Sequence, residues 1–397
     1  MTDATTKKRN DAIDLLRGLV MVVMALDHVR DFFSNYAADP TLALDTTTPG
    51  LFFTRWITHF CAPVFVFLAG TSAFIAGTRR TRPQLAWFLA TRGLWLMIAE
   101  VTLVRWGWLF ELGFHIVVFQ VIWTLGVSMI VLAGLVLLPL RPAHIGALGV
   151  ALVLGHDALD GVRAADFGAA RWLWVLLHER GFLSPGGGHV INAIYPLVPW
   201  PGVMMAGYAC GAIFAWEPAR RRRFLLSVGG ALCVAFVALR ALNVYGDPRP
   251  WTPQRTPLLT FFSFLACSKY PPSLCYLLMT LGPSLVFLGL ADGVDAAKTR
   301  WVRPLVTFGR VPFFFYVLHV PLMHGAAVIV GALLWGGAGV TAFAHKLFLP
   351  PAEYAKYGFS LPVVYLAWAL VVLALYAPCR WFAGVKARSR AAWVSYL

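Results

Sequence analysis

The sequence predicts an all-α fold: a polytopic membrane helical bundle of about ten transmembrane helices with both termini cytoplasmic. Three observations lead there. Of the 397 residues, 59% are hydrophobic and 13% charged, whereas a soluble domain has about 45–50% and about 25%. Mean hydropathy is +0.71, and apolar runs recur near the ~20 residues that a helix needs to cross hydrocarbon. Basic residues gather in alternate connections between those runs, which is how a membrane protein sets its orientation.

The ten segments are 12–33, 51–77, 85–105, 114–139, 143–159, 190–216, 224–244, 271–291, 304–335 and 360–382. With the N-terminus inside, the inner connections hold Arg79, Arg80 and Arg82, then Arg141, then Arg220 to Arg223, then Lys298, Arg300 and Arg303. The inner tail holds Lys386, Arg388 and Arg390, while the outer connections collect Asp39, Asp45, Asp160, Asp166 and Asp247. Segments 114–139 and 304–335 are long enough for tilted or broken helices. The outer segments 34–50, 160–189, 245–270 and 336–359 are rich in the Gly, Pro and Asp that turns require. Within the second of these, "RWLWVLLHERGF" (Arg171 to Phe182) is too short to span and is expected to lie flat at the interface. The organisation is then an N-terminal cytoplasmic arm over 1–11, a transmembrane domain over 12–382 and a basic cytoplasmic tail over 383–397, with no internal repeat or separate soluble domain.

The net charge of +15 is read as this orientation signal, so the expected partner is the lipid bilayer and not nucleic acid. The six cysteines form no C-x-x-C pair and most sit in apolar runs, as small buried hydrophobes do. No metal-ligand spacing is present, and a homodimer is left open.

Ionisable side chains inside a span cost about 2.5–3.5 kcal/mol on insertion scales and usually face a cavity or a partner. In "AIDLLRGLVMVVMALDHVRDFF", Arg17, Met21, Met24 and His28 share one helical face. Asp14 lies one turn before Arg17 and can pair with it. Arg17 and His28 are separated by roughly 16 Å along the axis, so this face presents a cation near the inner end and a histidine in the outer half. Asp27 can pair with Arg30, and with Asp31 these read as an outer membrane boundary. Arg55 and His59 stand at i, i+4; Gln120 is polar within the fourth segment; Lys269 and Tyr270 sit at the mouth of the eighth; Tyr316 and His319 are i, i+3 in the ninth. Tyr316 is read as packing. P-loop, G-x-G-x-x-G, H-E-x-x-H and G-x-S-x-G motifs are missing. A buried histidine near carboxylates suits general-base chemistry on an activated acyl group.

The same stretches carry a resemblance. "AIDLLRGLVMVVMALDHVRDFF" followed by "RWITHFCAPVFVFLAGTSAFIAG", with "FQVIWTLGVSMI", "SKYPPSLCYLLMTLGP" and "FGRVPFFFYVLHVPL", resembles bacterial members of the heparan-alpha-glucosaminide N-acetyltransferase catalytic family. The pattern D-x-x-R-G…H (Asp14, Arg17, Gly18, His28) is also similar to the start of the acyltransferase-three group. The resemblance implies a polytopic enzyme of the bacterial inner membrane. It would move an acetyl group from cytoplasmic acetyl-CoA to a sugar amine or hydroxyl on the outer side, with acetyl-CoA as co-substrate and no metal. One departure is that loop 34–50 has no histidine, whereas the lysosomal members place theirs in that loop. The candidates are therefore His28 as base with Asp27, Arg17 and Asp14 at the acetyl-CoA site, and Arg55, His59, Gln120, Lys269, Tyr270 and His319 lining the acceptor cavity. Direct transfer and an acyl-histidine are both open, and the alternative reading is a proton-coupled transporter or permease.

Overall fold

Local sequence sets the element boundaries. The computed structural model describes residues 10–389, 391, 394 and 396, so most of the expected arm and Arg390 of the tail lie outside the described residues. The first third contains α1 (Asp11–Phe33), α2 (Pro49–Ile57), α3 (Cys61–Gly77), α4 (Arg82–Ala99), α5 (Arg105–Leu109), β1 (Ile116–Phe119) and α6 (Val121–Leu137). The middle contains α7 (Pro142–Gly155), α8 (Arg171–Leu177), β2 (Gly181–Gly186), β3 (His189–Ala193), α9 (Trp200–Gly211), α10 (Pro218–Leu242) and α11 (Pro257–Leu265). The last part contains α12 (Leu274–Leu290), α13 (Arg303–Arg310), α14 (Pro312–Ala344), α15 (Pro351–Lys356) and α16 (Leu361–Arg388). Starts are marked as helix chemistry requires. The Asn10 side chain accepts from Ala12 N in α1, and Thr81 with Gln84 forms a capping box on α4. Proline opens α2, α10, α14 and α16.

The chain is mostly helical, at 73% helix and 5% strand. Six helical stretches are long and apolar enough to cross a membrane: Pro49–Gly77, Arg82–Leu109, Pro142–Leu159, Pro218–Leu242, Pro312–Ala344 and Leu361–Arg388. Val121–Leu137, Trp200–Ala215 and Leu274–Leu290 are shorter apolar helices. α1 has 23 residues, but its charged side chains keep it out of that class.

Several expectations are corrected. The fold is not purely α: β1, β3 and β2 form one sheet in that order, β1 parallel and β2 antiparallel to β3. Segments 114–139 and 190–216 therefore both begin in strand and turn helical only at Val121 and Trp200. "IVVF" is β-branched and aromatic, and pairing with β3 decides its state. The Arg171–Phe182 stretch helixes for seven residues only, and its last two enter β2. Gln120 stands at the N-cap of α6 instead of inside a span. Arg220 to Arg223 lie in the first turns of α10, not in a loop. Segment 304–335 is indeed broken, since Val311 separates α13 from α14. α14 itself breaks at Gly336 (φ 58°, ψ −141°), a conformation that favours glycine.

α1 is the helix around which the site is arranged. It packs on α13 backbone to backbone. A Cβ built on Gly18 would stand 1.8 Å from Leu305 O, and one on Gly309 would stand 1.8 Å from Asp14 O. In lipid, small residues at a crossing are what allow such approach. Because α14 follows α13 directly, this contact brings the outer half of α1 alongside α14.

Replacing Gly309 by Ala is expected to destabilise the protein by about 1–3 kcal/mol or more through overpacking. Gly134, on α6, has no atom within 4 Å of its ideal Cβ, so Gly134→Ala is expected to be neutral or to stabilise by about 0.5–1 kcal/mol. Thermal unfolding of the detergent-solubilised variants checks the contrast.

Candidate functional site

Two cavities flank the middle of α1. The near chamber, toward the end where α1 starts, has a volume of about 370 Å³. Its wall is largely apolar, from Met21, Leu89, Ile122 and Phe313, and it carries Arg17, Arg92, Arg310 and Lys386. The far chamber is larger, about 1160 Å³, and is lined by charged and polar side chains from α1, α2, the sheet and the loops around Lys269. No lining residue is common to the two.

Arg17 and Asp14 are paired at 3.2 Å, as their spacing predicts. Arg17 also donates to Ser72 Oγ at 2.7 Å and to Gly309 O at 3.2 Å. Arg310 Nη2 reaches Asp11 Oδ1 at 2.9 Å, so the cationic side of the near chamber is braced from α1.

His28 and His319, remote in sequence, are hydrogen-bonded at the far chamber: His28 Nδ1 lies 2.7 Å from His319 Nε2. His319 Nδ1 lies 2.6 Å from Tyr316 O. A carbonyl only accepts, so the proton of neutral His319 is on Nδ1 and its Nε2 accepts. His28 then donates through Nδ1, and its Nε2 carries a lone pair. Protons are here assigned from the hydrogen-bond network. No hydrogen bond occupies that Nε2 among the described residues, and His28 lines the far chamber. His28 is thus oriented by an imidazole from α14, not by a carboxylate.

Asp27 and Arg30 pair as their i, i+3 spacing predicts, at 3.3 Å. Both are buried, in a chain of alternating charge. Asp31 meets Arg30 at 2.8 Å, Arg30 meets Asp27 at 3.3 Å, Asp27 meets Arg55 at 2.5 Å, and Arg55 meets Asp39 at 3.0 Å. Arg55 extends the pair into a chain, and local helix spacing does not bring it to Asp27. Burial pushes the Asp39 carboxyl up, but Arg55 and hydrogen bonds from Thr41 outweigh it and hold it well below the usual carboxylate range.

His59 sits in the 3₁₀ turn Thr58–Phe60 between α2 and α3, buried on the same chamber. Its Nδ1 has no hydrogen bond among the described residues. Gln120, Lys269 and Tyr270 also line the far chamber. The Lys269 ammonium lies 5.3 Å from the Tyr270 ring centroid, and Arg180 stacks on that ring at 5.4 Å. Burial raises the Tyr270 phenol, yet Lys269 and Arg55 prevail and draw it below its ordinary value. The structure therefore brings Asp27, His28, Arg55, His59, Gln120, Lys269 and Tyr270 to one chamber, with His319 behind His28 and Asp14 and Arg17 near the other. Among the described residues no group of three or more His, Cys, Asp or Glu is placed to hold a metal ion.

Sequence reasoning assigned Trp108, with most of the tryptophans, to the aromatic belt of the membrane interface, and it read Tyr316 as packing. Trp108 lines the far chamber beside His28, and Tyr316 lines the near one. The π turn over Glu100–Val104 precedes α5, and one extra residue rotates the helix beyond it by about 100°. Glu100, buried at that turn, accepts from Trp123 N at 3.0 Å. An acid deep in an apolar run was the available signal.

The protein is thus a mostly helical, membrane-type bundle with a cationic chamber, a polar chamber and a histidine pair at the polar one. Comparison with protein families matches residues 9–245, more than half of the chain, and the chain belongs to the heparan-alpha-glucosaminide N-acetyltransferase catalytic family. Membership implies an acetyltransferase enzyme and a multi-pass membrane protein. Lys269, Tyr270 and His319 lie beyond the matched segment. No curated protein matches the chain.

Replacing Asp27 by Asn leaves two buried guanidiniums short of a counter-charge, and is expected to cost about 3–5 kcal/mol of stability. Asp31→Asn, at a side chain 30% exposed, is expected to cost much less; chemical denaturation of the two variants side by side checks the order.

Proposed function

We propose that the chain moves an acetyl group from acetyl-CoA, held at the near chamber, to an amine or hydroxyl of a sugar in the far chamber. The observation that carries this reading is the histidine pair, whose hydrogen bonds leave a lone pair on His28 Nε2 where the far chamber approaches the near one. A near chamber of about 370 Å³ suits the slender pantetheine arm but not the nucleotide. The phosphates would then remain among Arg92, Arg310 and Lys386, with Arg17 deeper and fixed by Asp14. The far chamber, about 1160 Å³, has room for more than one sugar ring. Arg55, His59, Gln120, Lys269 and Tyr270 would position the acceptor there.

His28 acts as general base and His319 fixes its tautomer; Asp27 acts through the charge chain beside it. In direct transfer the acceptor gives its proton to His28 Nε2 as its nitrogen or oxygen bonds to the thioester carbon. The C–S bond then breaks, and the proton passes to the departing thiolate. α1, the six long apolar stretches and the three shorter helices make ten spans in this reading. The basic near-end connections face the cytoplasm with both termini, in a bacterial inner membrane. Family membership favours the transferase over a proton-coupled transporter.

His28→Ala is expected to lower acetyl transfer from labelled acetyl-CoA about 10²–10⁴-fold, while calorimetry shows acetyl-CoA binding unchanged. Full activity in that variant would overturn the reading. Arg310→Gln is expected to weaken acetyl-CoA binding and to flatten its dependence on salt, measured by titration at several ionic strengths.

A further inference from the structure

Trp108 and Tyr316 stand where the two chambers approach each other. Trp108 is 7% exposed and Tyr316 4%. Both are edge-on to His28: the Trp108 centroid lies 4.8 Å away at 73°, and that of Tyr316 lies 6.4 Å away at 83°. Trp108 Nε1–H points toward Tyr316 Oη, but the contact falls short of a well-formed hydrogen bond, and neither group has another partner among the described residues. Leaving a buried donor unsatisfied costs about 1–3 kcal/mol, and each such group calls for a reason.

Their placement is built. Trp108 comes after the π turn and is stacked on Phe32, with centroids 5.5 Å apart. Phe32 is stacked in turn on His324 at 4.5 Å, and His324 Nδ1 is held by Gly107 O at 3.0 Å. Tyr316 is one turn before His319 on α14 and lies across its ring at 5.2 Å. Two donors from separate helices thus meet beside the base. An indole N–H can only donate, so the group that completes this pair is an acceptor oxygen.

We propose that Trp108 Nε1–H and Tyr316 Oη–H form the oxyanion hole of the acyl transfer, receiving the thioester carbonyl oxygen of acetyl-CoA. This rests on the acetyl-transfer reading above. As the acceptor's N or O bonds to the carbonyl carbon and its proton moves to His28 Nε2, the C=O π pair moves onto oxygen. The two donors hold that charge. When the pair returns to re-form C=O, the C–S bond breaks, and the thiolate leaves with the proton from His28. Donors fixed before the charge develops are worth far more than water, which must reorient.

The test is isotope-edited infrared spectroscopy of acetyl-CoA carrying ¹³C at the thioester carbonyl, bound to the full-length protein in nanodiscs. The carbonyl stretch is expected to fall in frequency on binding to wild type and to return toward its solution value in Tyr316→Phe and in Trp108→Phe. In turnover with glucosamine as acceptor, each variant is expected to lose about 10²-fold in kcat, with KM for acetyl-CoA held within about twofold, as removal of a transition-state contact requires. Should Trp108→Phe not fold, incorporating β-(3-benzothienyl)alanine at 108 removes the N–H and keeps the bicyclic shape. A carbonyl stretch unshifted on binding, or equally shifted in the variants, overturns the oxyanion hole and leaves the transferase reading standing. Failure of wild type to bind acetyl-CoA overturns both.

Discussion

The contact on which the site depends is the backbone approach of α1 to α13 at Gly18 and Gly309. Lipid supplies no hydrophobic drive for helices to associate, and these two helices are held by closeness of fit. Here each glycine lies against a carbonyl of the other helix. α14 starts two residues after α13 ends, and this anchors its first turns. His319 comes to His28, and Tyr316 comes to the gap between the chambers, as a consequence of a fit made roughly two to three turns away. The site is assembled from helices fixed elsewhere, which is how a geometry of a few tenths of an ångström is kept without rigid loops.

Charge is organised by the same economy. The five residues Asp31, Arg30, Asp27, Arg55 and Asp39 neutralise one another in alternation, and no member faces a like charge alone. A buried ion pair is weak evidence for stability, but here it has a geometric role. It ties the end of α1 to α2 and to the loop before it, at the wall of the far chamber. The small sheet completes that wall from the other side with Ile116, Val118, Val190 and Asn192, so the chamber has helical walls below and strands above.

Much of this was legible in the sequence. Helical spacing alone put Arg17 and His28 on one face of α1 and paired Asp14 with Arg17, because those relations are local. The break after Arg310 and the limit near residue 335 were marked by proline and glycine. The strands were not legible: "IVVF" and "HVINA" adjoin apolar helices, and periodicity cannot separate a short buried strand from a helical turn. The Asp27–Arg30 pair was legible because it is local, whereas Arg55, the closest partner of Asp27, belongs to another helix. The pairing of His28 with His319 spans nearly the whole chain, and no local rule reaches it. Trp108 was hidden among sixteen tryptophans, most of them suited to the membrane interface. What distinguishes it is an unpartnered indole nitrogen on a ring that lies 4.8 Å from that of His28.

The separation of the two chambers has a consequence for the membrane itself. A passage wide enough for a nucleotide and a sugar would also conduct ions and dissipate the transmembrane potential. Here the chambers have no lining residue in common, and aromatic rings lie between them. In the proposed orientation, two carbons and an oxygen are all that must pass that barrier, since each bulky substrate stays in its own compartment. Acyl groups would be exported while the bilayer stays electrically sealed, with no gate required to open and close.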